Sequence, residues 1–372
     1  MVDFAALAVP GVQALRPYQP GKPVEALERE LGIREAVKLA SNENALGPSP
    51  RAVDAAGQAL HALHIYPDGN GFALKEALAA RHGVAPEQVT LGNGSNEVLE
   101  LIARTWLAPG RNAVYSQHAF AVYPLVVQAV SAEGRAAPAR AVDSEQPYGH
   151  DLAAMAAQVD ADTRVVFVAN PNNPTGTWLG AEALERFIAQ VPAETLVVVD
   201  EAYAEYVEEP DYPDTTRWLE RFPNLLVTRS FSKIHGLAGL RLGYSVSSAV
   251  VADLVNRVRQ PFNVNGVAQA AGVAAISDTA HVAESVRMNR AGLKQLGSGL
   301  RQRGIGFIPS VGNFITFDVR EAPGAVYERL LREGVIVRPV ANYGLPTHLR
   351  VTVGTAAENE RFLRALDAVL KT

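Results

Sequence analysis

Short apolar runs alternate with amphipathic segments between residues 50 and 260 of this chain. The runs contain neighbouring valine, leucine and isoleucine residues without polar alternation, so we predict strands that are buried on both faces. These strands cover residues 89–92, 112–116, 164–169, 195–199 and 225–229. The intervening helices are predicted over residues 51–63, 72–82, 98–106, 123–130, 151–159 and 181–190. The pattern predicts an α/β fold with a mostly parallel sheet flanked by helices.

The pattern changes near residue 265, where helical spacing becomes dominant. A long helical region is predicted over residues 267–303, then strands at 314–318, 335–338 and 349–353, and helices at 324–333 and 357–370. This order predicts a smaller α+β domain over residues 265–372. Several prolines and a helix at 24–32 predict an arm, residues 1–44, that packs on the smaller domain. The large domain then covers residues 45–264.

Composition is that of a soluble globular protein and excludes several functions. The 372 residues exceed the length of most single domains, and the 48% apolar and 20% charged residues indicate a folded chain. A net charge of -5 offers no basic surface for nucleic acid. The longest uncharged stretch, residues 260–277, contains prolines, asparagines and glycines that lipid would not tolerate, so we predict no membrane span.

Cysteine is absent and the eight histidines are scattered, so we predict neither disulfides nor a metal site. The first twenty residues lack the basic start and continuous apolar core of a signal peptide. We therefore expect a cytoplasmic protein.

Lys233 lies in the sequence Ser-Phe-Ser-Lys-Ile-His-Gly, directly after the predicted strand at 225–229. A lysine that is buried or close to other cations loses its proton readily and can then form a Schiff base with an aldehyde. The hydroxyls of Ser230 and Ser232 suit a phosphate or an amine, and Arg241 can pair with a phosphate dianion. A single lysine is usually a surface residue, but the glycine-rich sequence that follows favours a binding site.

Three more side chains follow predicted strands, where open α/β sheets bind their ligands. Asp200 ends a strand and could keep the nitrogen of a heterocycle protonated, although it could equally cap the next segment. Tyr203 comes one helical turn later and could face the same site. Asn173 lies in a loop stiffened by two prolines, which could present its amide rigidly or could be a plain turn.

Ser95 and Asn96 follow Gly94 at the predicted start of a helix, where free N–H groups and the helix dipole favour phosphate. Glu97 stands where a dinucleotide-binding sequence requires its third glycine, which argues against a dinucleotide. Phe120 could stack on a flat ligand, although an aromatic residue at such a position is more often part of the core.

The order of these motifs along the chain is the helix start at Ser95, the loop with Asn173, the strand end at Asp200 with Tyr203, and Lys233 with Arg241. This order resembles that of the fold-type-I pyridoxal-phosphate-dependent aminotransferases. The resemblance extends from Arg-Pro-Tyr-Gln-Pro-Gly at 16–21 to residues 349–354. That first segment, Leu-Ala-Ser-Asn-Glu-Asn at 39–44 and Ile-Val-Arg-Pro at 336–339 are similar to the class II subgroup that acts on histidinol phosphate. The resemblance implies a mostly parallel seven-stranded sheet in the large domain, and a homodimer with active sites shared across its interface.

The resemblance also implies a role for each matching residue. Lys233 would hold pyridoxal phosphate as a Schiff base, with Asp200 at the ring nitrogen and Tyr203 at the 3′-oxygen, and these three form the catalytic set. Other cofactor-binding residues would be Asn173 at the 3′-oxygen, Phe120 on the ring, and Ser95, Asn96, Ser230, Ser232, Arg241 and a neighbouring subunit's Tyr66 at the phosphate. The substrate-binding residues would be Tyr18, Asn44, Phe262, Arg338 and Arg350. Phe262 stands where some relatives have a tyrosine that touches the substrate phosphate across the dimer interface.

The implied reaction moves the amino group of L-histidinol phosphate to 2-oxoglutarate, giving imidazole-acetol phosphate and L-glutamate in histidine biosynthesis. Guanidinium groups such as those of Arg338 and Arg350 can bind either a phosphate or a carboxylate, so one pocket can serve both half-reactions. The alternatives within this fold are an aromatic amino acid aminotransferase and a decarboxylase of a phosphorylated amino acid. A regulator that binds the cofactor without turnover is a further class, and the lack of a DNA-binding segment argues against it.

Overall fold

The computed structural model describes residues 2–18 and 21–370. Gln19 and Pro20 of the predicted arm motif, and the terminal residues 1, 371 and 372, lie outside the described residues. The strands are β1 (Val37–Lys38), β2 (Val89–Asn93), β3 (Asn112–Ser116), β4 (Glu133–Ala137), β5 (Thr163–Ala169), β6 (Leu196–Asp200), β7 (Leu225–Ser230), β8 (Leu242–Ser247), β9 (Phe307–Ile308), β10 (Phe314–Asp318), β11 (Val335–Ile336), β12 (Arg338–Pro339) and β13 (His348–Thr352). The α-helices are α1 (Phe4–Leu7), α2 (Pro10–Gln13), α3 (Val24–Leu31), α4 (Pro50–Ala59), α5 (Phe72–His82), α6 (Ser95–Trp106), α7 (Val122–Ala129), α8 (Leu152–Ala157), α9 (Ala181–Gln190), α10 (Ala249–Val258), α11 (Gly266–Ser277), α12 (Thr279–Gln302), α13 (Pro323–Arg332) and α14 (Ala356–Leu370).

Seven strands form one central sheet in the order β2-β8-β7-β6-β5-β3-β4. Strands β7, β6, β5, β3 and β4 pair in parallel, whereas β8 is antiparallel to both of its neighbours. The predicted fold class, an α/β protein with a mostly parallel seven-stranded sheet, is confirmed.

The apolar runs form strands because both faces of this sheet are covered by helices. In β5, Val165 and Phe167 pack with residues of α6 and α7, whereas Val166 and Val168 on the opposite face pack with residues of α5, α9 and α11. Each such side chain removed from water stabilises the fold by about 1.5–3 kcal/mol. Burial on two faces therefore explains why these strands lack polar alternation.

A second, four-stranded antiparallel sheet in the order β12-β13-β10-β9 follows later in the chain. Apolar residues of α12, α13 and α14 cover it, including Leu300, Leu330 and Phe362. Strand β1 pairs in parallel with β11 and joins the N-terminal segment to this part of the molecule.

The N-terminal segment contacts both parts of the protein. Leu27 of α3 and Ala40 pack against Leu331 and Ile336, on the side predicted for the arm. Earlier, α2 lies against α7, and the Gly11 N–H donates to the Ser131 hydroxyl at 2.9 Å. The prediction that the arm packs on the smaller domain therefore omits a contact with the helix layer of the central sheet.

Several predicted elements differ from the structure. The helical region predicted over 267–303 is two helices, because Asp278 leaves the helical conformation and its side chain accepts from the His281 N–H at 3.2 Å. The strand predicted at 335–338 is divided into β11 and β12, and β4, β8 and α10 were not predicted. Within residues 2–18 and 21–370, no helix combines the length and apolarity that crossing a bilayer requires.

Candidate active site

A cavity of about 500 Å³ opens at the carboxyl ends of the central parallel strands. Ala169, Asp200 and Ser230, the last residues of β5, β6 and β7, all line it. Because adjacent parallel strands end at the same sheet edge, residues distant in sequence meet here. The predicted site residues that line the cavity are Tyr18, Ser95, Asn96, Phe120, Asn173, Asp200, Tyr203, Ser230, Ser232, Lys233, Arg241 and Arg350.

Lys233 follows β7 and extends its amine into the cavity. Its Nζ donates to the backbone oxygen of Ser41 at 3.0 Å and lies 5.6 Å from the centre of the Tyr203 ring. Burial, together with the nearby charge of Arg350, lowers the pKa of Lys233 to about 7. A large fraction of this amine is therefore neutral and nucleophilic near neutral pH.

Asp200 is buried at the end of β6 with one carboxylate oxygen unpaired. Its Oδ2 accepts from the Tyr123 hydroxyl at 2.8 Å, and its buried Oδ1 has no hydrogen-bond partner among the described residues. Burial raises the pKa of Asp200, while donation from Tyr123, the nearby Thr228 hydroxyl and Ala202 N–H, and the charge of Lys233 act in the opposite direction. A buried carboxylate of this kind is stabilised by a ligand that donates an N–H or carries positive charge.

Tyr203 reaches the cavity without the helical turn that was predicted between it and Asp200. Residues 201–203 form no α-helix, and Tyr203 directly precedes the 3₁₀ turn Ala204–Tyr206. Its hydroxyl accepts from Asn42 Nδ2 at 2.9 Å, and burial raises the pKa of Tyr203 to about 12. The phenol is therefore protonated at neutral pH and able to donate a hydrogen bond.

Asn173, in the loop after β5, and Arg350, on β13, line the cavity where the central sheet and the second sheet meet. Arg350 of β13 donates through Nη1 to the Asn173 side-chain oxygen and through Nη2 to the Ala40 backbone oxygen at 2.7 Å. Its guanidinium lies 5.3 Å from the centre of the Phe314 ring, and its buried Nε has no hydrogen-bond partner among the described residues. Desolvation lowers the pKa of Arg350, but the group remains a cation that attracts anions.

A second group of residues in the cavity lining is suited to receive an anion. Helix α6 begins at Ser95, and Gly94 before it has a φ of +81°, with the Arg241 guanidinium so close that any Cβ would collide with it. A Cβ on Gly243 of β8 would lie 2.2 Å from the Ser95 nitrogen. These two glycines therefore bring a helix N-terminus, a guanidinium and the hydroxyls of Ser230 and Ser232 to one place.

Asn44 and Arg338 were predicted to bind substrate, but the structure places both outside the residues that line the cavity. Asn44 Nδ2 donates to the Ile234 backbone oxygen at 2.8 Å and to the Ser285 hydroxyl at 2.9 Å, so its amide supports a loop. Arg338 is buried with its guanidinium 5.1 Å from the centre of the Tyr18 ring. It is the strand partner of Arg350 across β12 and β13, so it lies next to the cavity wall.

Tyr66 and Phe262 also lie outside the cavity of this chain. Their rings stack on each other with centres 4.8 Å apart, and their exposed fractions are 79% and 45%. The two residues predicted to act across a dimer interface therefore share one exposed surface.

Several residues that line the cavity were not among the predicted site residues, and among them Ser41, Asn42 and Tyr123 hydrogen-bond to Lys233, Tyr203 and Asp200. Asn42 was part of a motif used for the resemblance, and its φ of +56° is a conformation in which asparagine is enriched. Tyr123 was predicted only as the start of a helix, and its ring stacks on Phe167 at 4.8 Å like a core residue. Its contact with Asp200 spans 77 positions, so no local pattern indicates it.

The arrangement fits a flat heterocycle that carries a phosphate. The unpaired Oδ1 of Asp200 can accept from a ring nitrogen, and the helix N-terminus at Ser95 can bind the phosphate. In the same cavity, Phe120 provides an aromatic wall and Lys233 an amine. These are the contacts expected above for pyridoxal phosphate.

Three comparisons with known proteins bear on this site. Residues 34–366 match the model of the family "Aminotransferase class I and II". A Pseudomonas aeruginosa protein named histidinol-phosphate aminotransferase 2 is 62% identical over 372 residues, covering 100% of this chain and 99% of that protein. A protein of the same name from Methylococcus capsulatus is 56% identical, with 99% and 100% covered. The crystal structure of histidinol-phosphate aminotransferase from Sinorhizobium meliloti in complex with pyridoxal-5′-phosphate superimposes with a TM-score of 0.88 at 29% identity, covering 98% of this chain and 97% of that one.

Proposed function

The chain belongs to the class I and II aminotransferase family, and from this premise we propose that it transfers the amino group of L-histidinol phosphate to 2-oxoglutarate with pyridoxal phosphate as cofactor. The observation that carries the reaction type is the placement of the Lys233 amine and the unpaired Asp200 carboxylate oxygen in one cavity. The substrate assignment is supported by the full-length identity of 62% and 56% to proteins named for it.

Pyridoxal phosphate, when bound, supplies an aldehyde and a ring that withdraws electrons from the substrate's Cα. Asp200 would hold the ring nitrogen in its protonated form, since a buried carboxylate is stabilised by a cation. Ser95, Ser230, Ser232 and Arg241 would bind the phosphate.

Lys233 would move the proton at the substrate's Cα. Its pKa of about 7 leaves a neutral amine available to accept this proton, and the resulting ammonium would donate it at C4′, the carbon of the cofactor's aldehyde. The Ser41 backbone oxygen holds the amine at the cavity wall by accepting one N–H. Tyr203, whose phenol is protonated, and Asn173 would orient the ring by hydrogen bonds to its 3′-oxygen.

Arg350 would bind the acidic group of either substrate. Two of its donors are occupied by Asn173 and Ala40, and its remaining N–H groups can bind a phosphate or a carboxylate oxygen. A fixed guanidinium of this kind serves both the phosphorylated amino donor and the dicarboxylate acceptor. Tyr18 lines the same cavity and stacks on Arg338, which places a second guanidinium close behind the wall.

We further propose a homodimer in which Tyr66 of one subunit completes the phosphate site of the other. Tyr66, which stacks on Phe262, is flanked in sequence by other exposed apolar side chains, including Leu63, Ile65 and Phe72. Exposed apolar side chains grouped in this way are typical of a surface that contacts another chain. A cytoplasmic location remains a prediction.

The substrate assignment is tested by steady-state turnover with histidinol phosphate and with phenylalanine at saturating 2-oxoglutarate. We expect kcat/KM for histidinol phosphate to exceed that for phenylalanine by more than about tenfold, a difference of about 1.4 kcal/mol in transition-state binding. A preference for phenylalanine would overturn the substrate assignment, and a protein that stays colourless after addition of pyridoxal phosphate would overturn the cofactor assignment.

A further inference from the structure

Asn42 occupies an unusual position at the cavity. It is 1% exposed, and its φ of +56° lies in the left-handed region, which asparagine adopts more readily than other residues with a Cβ but which still costs about 1 kcal/mol. A strained conformation at a ligand cavity persists only where surrounding contacts fix it. The contacts that fix Asn42 therefore indicate what the residue does.

Those contacts come from β13 and from the loop before β10. The Asn42 N–H donates to the Thr352 hydroxyl at 2.9 Å, and this hydroxyl donates back to Asn42 Oδ1 at 3.2 Å. Asn313 Nδ2 donates to the Asn42 backbone oxygen at 2.9 Å. Because Oδ1 is used by Thr352, the amide nitrogen must face the other way, toward Tyr203.

The amide nitrogen donates to the Tyr203 hydroxyl at 2.9 Å. A phenol has a single proton, and its oxygen here already accepts one hydrogen bond, so the proton is directed away from Asn42. Tyr203 lines the cavity together with Lys233 and Asn173, so the proton is available to an acceptor in that space. Donation from Asn42 also favours the phenolate and makes the phenol a stronger donor.

From these contacts we propose that Asn42 is a positioning residue: it directs the Tyr203 hydroxyl proton toward the bound cofactor and ties that orientation, through Thr352, to the strand that carries Arg350. Thr352 and Arg350 are two positions apart on β13 and lie on the same face of the strand. Strand β13 would thus have two roles. It carries Arg350, which would bind the substrate's acidic group, and it holds Asn42, which would orient the Tyr203 hydroxyl. This inference rests on the proposed function.

The test measures the pH at which the absorbance of the bound cofactor changes, in the wild type, Asn42→Gly, Tyr203→Phe and the double variant. Glycine keeps the positive φ at no steric cost and deletes the amide donor. A hydrogen bond to the 3′-oxygen favours its anionic form, so weakening that bond raises the spectroscopic pKa. We expect Tyr203→Phe to raise this pKa by about one unit and Asn42→Gly by about half a unit.

The decisive comparison is between the shift in spectroscopic pKa that Asn42→Gly causes in the wild type and the shift it causes in Tyr203→Phe. If Asn42 acts through Tyr203, Asn42→Gly produces no further shift in the Tyr203→Phe background. Equal shifts in both backgrounds, or no shift in either, would overturn the inference. Asn42→Asp, which also tolerates this φ, replaces the donor with an acceptor and should raise the spectroscopic pKa more than Asn42→Gly does.

Asn289→Ala is the matched control, since Asn289 is also a buried amide, but its Nδ2 donates to the Gly312 backbone oxygen at 3.1 Å and not to a residue of the cavity. It should lower stability without moving the spectroscopic pKa, and a shift as large as that of Asn42→Gly would overturn the inference. A wild type that fails to bind pyridoxal phosphate overturns the proposed function and this inference with it. A coloured wild type with an unshifted Asn42→Gly spectrum overturns the inference alone.

Discussion

The Tyr123 hydroxyl donates to Oδ2 of Asp200 at 2.8 Å, across the end of the central sheet. This bond opposes the effect of burial, which raises the pKa of Asp200. Because Oδ1 has no partner among the described residues, the bond from Tyr123 also leaves one specific oxygen for the cofactor's ring nitrogen.

Tyr123→Phe should therefore weaken pyridoxal phosphate binding by about tenfold or more, the loss expected for one hydrogen bond to a charged group. Without that donor, the pKa of Asp200 rises further and the carboxylate is protonated at a higher pH. Cofactor affinity, measured by equilibrium titration, should then decline on acidification at a higher pH than in the wild type. Tyr115→Phe, on β3 and outside the cavity, is the control and should bind the cofactor normally.

The lowered pKa of Lys233 predicts how attachment of the cofactor depends on pH. Only the neutral amine attacks an aldehyde, so attachment to the cofactor-free protein should accelerate as pH rises through about 7 and then level off. An ordinary lysine would continue to accelerate toward pH 10. Stopped-flow absorbance measures this rate, and Lys233→Ala, which should show no covalent attachment by mass spectrometry, is the control.

The geometry of Arg350 predicts that lysine cannot replace it. The guanidinium spans Asn173 and Ala40 with two nitrogens, which a single ammonium cannot do. Arg350→Lys should lower kcat/KM for both histidinol phosphate and 2-oxoglutarate by about 10–100-fold. Normal kinetics with either substrate would show that Arg350 does not bind that substrate's acidic group.

The sequence indicated those parts of the fold that depend on local patterns. Valine-rich strands such as β5 and β6 are buried on both faces and were predicted within one or two residues. Strand β4 reads Glu-Gly-Arg-Ala-Ala, which has little β propensity and forms a strand only because β3 provides a neighbour. Strand β8 follows a glycine-rich run that was interpreted only as a ligand loop.

In the candidate site, too, local sequence patterns indicate some residues, and tertiary contacts alone bring in the others. Asp200, Lys233 and Asn173 lie in motifs next to strand ends, so their placement followed from the sheet. Tyr123 and Asn42 join the site through contacts with residues 77 and 161 positions away. Tertiary packing creates such contacts, and no spacing within the sequence indicates them.

The buried ion pair between Arg229 and Glu201 predicts a large loss of stability when one partner is removed. Arg229 donates to Glu201 Oε2 through Nε at 2.9 Å and through Nη2 at 2.5 Å, and to Glu205 at 3.2 Å. Arg229→Met leaves buried carboxylates without their cation, so the free energy of unfolding should fall by about 3–5 kcal/mol. Urea unfolding measures this change.

Two further variants isolate the cause. Adding Glu201→Gln to Arg229→Met removes one uncompensated charge and should restore part of the lost stability. Arg257→Met removes a cation from an exposed pair with Asp253 and should change stability by less than about 1 kcal/mol. If Arg229→Met behaves like Arg257→Met, the ion pair does not stabilise the end of β7.

The proposed sharing of active sites predicts that two defective variants will complement each other. Lys233→Ala lacks the catalytic amine, and Tyr66→Ala lacks the proposed phosphate contact from the other subunit. In a hybrid dimer with Tyr66 acting across the interface, one site carries both defects and the other carries neither. Random exchange of subunits makes about half of the dimers hybrids, so the mixture should recover about one quarter of wild-type activity.

The control for this experiment is to mix each variant with itself, which should restore nothing. Activity is assayed before and after subunit exchange, and size-exclusion chromatography with light scattering reports the mass of the assembly. If Tyr66 acted on its own subunit's cavity, every hybrid site would carry one defect and activity would not recover. The exposed stacking of Tyr66 on Phe262, outside the cavity of its own chain, favours recovery.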